Sequence, residues 1–159
     1  MGEKTRVIIA GIFFIVFCAI ELVGQQWNLR EAEKIAGAAE RLYPLFVGID
    51  FDGLEIDESE NRLSLYKYAN ESEKSSMLVR KEVASLSVDD ASIRDARLFK
   101  NIMDYCGGVF FATDLNWNGE WSGLCLYPSE PSLLPSQYIS RSENEYAYWL
   151  SEIPDSVVN

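Results

Sequence analysis

Apolar and polar positions change their period along this chain, and each change marks an element. From Val7 to Ile20 no charged residue occurs; Lys4 and Arg6 precede the run, and Glu21, Leu22 and Val23 follow it. A basic flank ahead of an apolar stretch is the pattern of a signal or an anchor, and Val7–Val23 just reaches the roughly 17 residues that a spanning helix needs. Trp27 stands where an interfacial aromatic belongs. A cut after Gly24 would leave bulky Leu22 at the third position back, which favours an uncleaved anchor over secretion after signal cleavage. Residues 1–24 are therefore read as a signal-anchor or transmembrane segment, and residues 25–159 as a single extracytoplasmic domain.

Beyond Gly24 the spacing becomes three and four: Ala32, Ile35, Ala36, Ala39, Leu42 and Tyr43 form one face of an amphipathic helix over 28–43, ended by Pro44. A period of two follows. Val47, Ile49, Phe51, Leu54 and Ile56, then Leu63, Leu65 and Lys67, alternate around the polar turn 58–61, and a third strand over 76–86 completes an antiparallel meander. A second helix is expected over 89–105, where Ala96, Phe99, Met103 and Cys106 share a face ahead of Gly107-Gly108. Asn118-Gly119 then signals a two-residue hairpin between a strand over 109–112 and one over 123–127, with Trp117 opposite Glu120 and Ala112 opposite Cys125. Ser142 and Glu145 resemble a capping box for a short C-terminal helix carrying Tyr146, Trp149, Leu150 and Ile153 up to Pro154. The fold class is α+β: anchor helix continuing into an amphipathic helix, antiparallel meander, helix, β-hairpin, short C-terminal helix.

Composition narrows what this scaffold does. The net charge of −11 disfavours nucleic acid, whose binding draws on clustered Lys and Arg. The complete lack of histidine removes the commonest general acid/base and metal ligand. No cofactor or metal is expected. From Asn101 onward Arg141 stands alone against eight carboxylates, and three of the four tryptophans lie in the same stretch. Trp117 and Trp121 bracket the expected turn. With Asp114, Glu120, Tyr146 and Trp149 they make a candidate partner-binding surface, aromatic anchors ringed by charge that would dock a basic protein. Stacking of a sugar face on Trp117 and Trp121 is the alternative use of the same rings. Cys106 and Cys125 form an even pair in the exported part, compatible with a disulfide or with two buried thiols.

Two local resemblances bear on function. Asp50-Phe51-Asp52-Gly53, after apolar 45–49, resembles the first motif of haloacid-dehalogenase-type phosphohydrolases, although Leu54 stands where that family carries threonine. The resemblance implies Asp50 as nucleophile, Asp52 as acid/base and a metal to offset their charge. The stalk-like N-terminus is similar in architecture to pilin-like proteins, but Val16, not glutamate, is fifth after Gly11. The reading adopted is a non-enzymatic, membrane-anchored binding protein, a subunit or accessory factor of a cell-envelope assembly. Its alternatives are an acidic immunity-type inhibitor of an exported toxin and a metal-dependent phosphohydrolase using Asp50 and Asp52.

Overall fold

Ala38, Ala39, Leu42 and Phe46 are fully buried, and they line the inner face of helix α1, residues 29–46. The structure, a computed structural model, describes residues 29–70, 78–105 and 107–154. The expected anchor Val7–Val23, Trp27, the start of the third strand at Ser76-Met77, and Cys106 lie outside the described residues. Contacts divide the chain at Ile35/Ala36, and the packing below concerns the second unit. Helix α1 runs past Pro44, where the sequence placed its end. A proline in the last turn forfeits a single backbone bond, and burial of the Phe46 ring against Phe51 and Phe111 favours continuation. Val47 N–H closes the helix on Tyr43 O at 3.1 Å, and Gly48 at φ +82° turns the chain out.

Sheet A is the expected meander: β1 (Gly53–Asp57), β2 (Arg62–Asn70) and β3 (Leu78–Ser87), antiparallel in the order β1-β2-β3. Leu63 and Leu65 fill the core, and Tyr66, Tyr68, Arg80 and Glu82 fall on the opposite face by the period of two. Helix α2 (Asp90–Ala96) follows, capped by Asp89, whose carboxylate accepts the Ser92 N–H at 2.8 Å. It is much shorter than the helix expected over 89–105, because Asn101–Tyr105 is a strand, β4. Neighbours on both sides bury Ile102 and Met103 in succession, which erases the alternation that marks a half-exposed strand.

Sheet B contains β4, β5 (Gly108–Leu115), β6 (Glu120–Leu126), β7 (Tyr138–Arg141) and β8 (Ala147–Pro154), in the order β4-β5-β6-β8-β7, all antiparallel. The expected C-terminal helix is β8. Leu150 and Ile153 imitate helical spacing because Ser151 and Glu152 together oppose one β6 residue, a bulge with Glu152 at φ +58°. The hairpin register also differs: Phe110, not Ala112, pairs with Cys125. The turn holds three residues instead of two, and a bulge at Thr113 adds a second step.

The two sheets meet edge to edge at β1 and β4. Asp104 N–H donates to Phe51 O at 2.8 Å. At the other end of the seam the Asn101 side chain replaces the strand ladder: its Oδ1 accepts from Leu54 N at 3.3 Å and its Nδ2 donates to Asp52 O at 3.2 Å. Phe111 packs on Phe46 and Phe99 on the face crossed by α1, and Met103, Phe110, Cys125, Tyr148 and Leu150 form the core on the other face. Arg41 holds Asp95 with two bonds of 2.7 and 2.9 Å, tying α1 to α2. The fold is thus α+β, with two antiparallel sheets and two helices among the described residues.

Candidate functional site

The β5–β6 turn is a small rigid platform built around one side chain. Asn116 N–H donates to Glu120 O at 2.9 Å, and Gly119 N–H returns to Asn116 O at 3.1 Å. Asn116 Oδ1 accepts from both Asn118 N and Glu120 N at 2.9 Å, while its Nδ2 donates to Glu120 Oε2 at 2.7 Å. Gly119 at φ +77° supplies the left-handed residue that a three-residue hairpin with a bulge requires. Trp117 projects from this platform with 93% of its surface exposed, beside half-exposed Leu115 and with Asp114 exposed three residues before it.

The six residues expected to share a surface are not all together. Asp114, Trp117 and Glu120 gather at the tip. Trp121, paired with Leu115 on β5 and Ile153 on β8, is half-buried and packs against the core cluster. Trp149 pairs with Leu124, and Tyr146 O accepts from Tyr127 N at 3.0 Å. Tyr127 is seven residues past Glu120, so Tyr146 lies about 20 Å down the strands from the tip. Cys125 is buried, with its Sγ 3.9 Å from Tyr105 O.

A second feature, which sequence reasoning missed, opens on the outer face of sheet A beside Trp121. It is a groove of 350 Å³ lined by Gly53, Glu55, Tyr66, Tyr68, Arg80, Lys100, Asn101 and Trp121 among others. The Arg80 guanidinium lies 3.4 Å from the centre of the Tyr66 ring and bonds Glu55. Partial burial works against the Arg80 charge, but the Glu55 carboxylate more than compensates and leaves its pKa above the ordinary value. The alternation of Tyr66 and Tyr68 opposite Leu63 and Leu65 was visible in the sequence; the approach of Arg80, Lys100 and Trp121 depends on strand pairings that it does not reveal.

Asp50 and Asp52 are engaged in the framework. Asp50 forms an ion pair with Lys67, and Asp52 Oδ2 accepts the Tyr68 N–H at 2.8 Å. The Asp50 bond, opposed by partial burial and aided by the charges of Asp50, Asp52 and Asp104, holds the Lys67 ammonium above its ordinary pKa. Burial, then the charge of Asp50, pushes the Asp104 carboxyl up. Every strand pairing among the described residues is antiparallel. No family model, curated protein or solved structure matches the chain.

Proposed function

We propose that this chain is a non-enzymatic, membrane-anchored extracytoplasmic binding protein, a subunit or accessory factor of a cell-envelope assembly, which grips a basic protein partner with the β5–β6 tip. The observation that carries the reading is Trp117, 93% exposed on a turn whose backbone one asparagine ties down. A tryptophan offers about 150–250 Å² of largely apolar surface, and such rings dominate interface energetics when a partner covers them. Fixing the turn beforehand reduces the ordering cost of association. Asp114 and Glu120 beside the ring, within a stretch that is almost free of cations, favour a basic partner and a fast, salt-sensitive encounter. The uncharged run Val7–Ile20 supports the anchor.

The test is affinity purification of the full-length chain from mildly solubilised native membranes, beside the Trp117→Ala chain, at low and high salt. The reading predicts stoichiometric membrane proteins with basic surfaces, retained at low salt and weakened by salt and by the substitution. A soluble basic partner retained after removal of residues 1–24 would support the inhibitor role instead. Equal retention by both chains would rule out the tip as the docking element.

A further inference from the structure

The groove beside Trp121 does not end at sheet A's edge. A second hollow of 460 Å³ shares Glu55 and Tyr66 with it and continues across the same face past Asp57, Ser59, Ser64 and Glu82. We propose that these two adjoining hollows together form a trough that binds an oligosaccharide carrying a carboxylate.

The end near Trp121 is cationic on a chain whose net charge is −11. Arg80 from β3 and Lys100 from the bend before β4 face it against the single carboxylate Glu55, and Lys100 makes no ion pair among the described residues. Arg80 is held flat on Tyr66, and its guanidinium has five N–H groups, so the contact with Glu55 leaves donors for a ligand anion. Tyr68 and Trp121 add aromatic surface, on which the C–H face of a sugar ring stacks while its hydroxyls stay at the rim. Asn101 is a wall and not a ligand group, since both ends of its amide are used in the seam.

The other end selects the rest of the ligand. Asp57, Glu58 and Glu82 accept hydrogen bonds from hydroxyls and repel a second anion, leaving Arg62, paired with Asp57, as the cation there. A polyanion such as a nucleic acid is therefore disfavoured. An extended, hydroxyl-rich chain with one acidic unit at the Lys100 end satisfies both halves. The trough is open along its length, which suits a segment of a polymer more than an enclosed small molecule.

Calorimetry and tryptophan fluorescence on the full-length chain test this, with glucuronosyl-xylotriose and sialyllactose, each carrying a single carboxylate at one end, as acidic probes and chitotetraose as the neutral one. An acidic probe is expected to bind and chitotetraose to bind at least about tenfold more weakly, the loss of one charge-assisted bond. Lys100 is exposed, so Lys100→Ala should keep the far-ultraviolet circular dichroism and lose about tenfold in affinity for the acidic probe. Tyr68→Ala should weaken the acidic and the neutral probes alike. Trp117→Ala should leave binding unchanged, which separates this site from the hairpin tip. Lack of binding by both acidic probes, equal binding of chitotetraose, or full affinity in Lys100→Ala would each overturn the proposal.

Discussion

Trp117 and Trp121 sit four residues apart on one hairpin, yet they have opposite environments. The first is almost wholly in solvent, and the second is half-buried, touching the sheet B core on one side and the trough on the other. Residue type is the same for both, so the difference lies in turn geometry. A three-residue turn carries Trp117 beyond the last ladder pair, while Trp121 stays in the ladder opposite Leu115 and Ile153. An exposed tryptophan is thus informative only after the register is known. The tip is exposed surface, which the proposed function assigns to a partner, and the base of the hairpin is part of the scaffold.

The strongest way to break this contrast is to attack the base. A Cβ on Gly123 would lie 2.1 Å from Phe111 O, whereas one on Gly119 meets nothing within 4 Å. Gly123→Ala is expected to cost more than about 3 kcal/mol, and Gly119→Ala about 1 kcal/mol from its positive φ alone, both by urea unfolding. Next, Trp121→Ala should destabilise by about 3 kcal/mol, and Trp117→Ala by less than about 0.5 kcal/mol. Comparable losses would mean that the two rings are equivalent after all.

The sequence showed the meander, α1 and the turn at Asn118-Gly119, because each rests on local chemistry: alternation around a polar turn, a three-and-four stripe, and a glycine suited to positive φ. It failed where tertiary structure rewrites the period. The double burial of Ile102 and Met103 hid β4, and the bulge at Glu152 placed Leu150 and Ile153 at helical spacing in β8. The three-residue turn and the Thr113 bulge moved the register by two. Of the candidate surface, Trp117, Asp114 and Glu120 were legible because they are close in sequence; the trough was not, since Tyr68, Arg80, Lys100 and Trp121 come from four separate segments.

Smaller effects sharpen the comparison. Asn116→Ala removes the side chain that holds the tip and should cost about 1–2 kcal/mol, while weakening partner binding through a looser Trp117. At the β1–β4 seam below the trough, the raised pKa of Asp104 means that the folded chain holds that proton more tightly than the unfolded one. Stability from this group therefore rises as pH falls through the raised value. Asp104→Asn is expected to be more stable than the parent at neutral pH, with the gap narrowing toward about pH 4 in urea titrations. Asp57 acts in the opposite sense. Its carboxyl is depressed by the bond from Ser59 Oγ, against some desolvation and with help from Glu60 N–H and Arg62, and Asp89 is depressed by Ser92. Their contributions are complete above the ordinary carboxylate pKa and are lost as pH falls through the depressed values, in both proteins.

The most direct test of the account is to place a photo-crosslinking amino acid at position 117 of the full-length chain in native membranes, and separately at Leu133, which is 86% exposed away from the hairpin. The account predicts a defined adduct with a basic protein from position 117, lost at high salt, and none from position 133. No adduct at 117, or the same adduct from both positions, would contradict it.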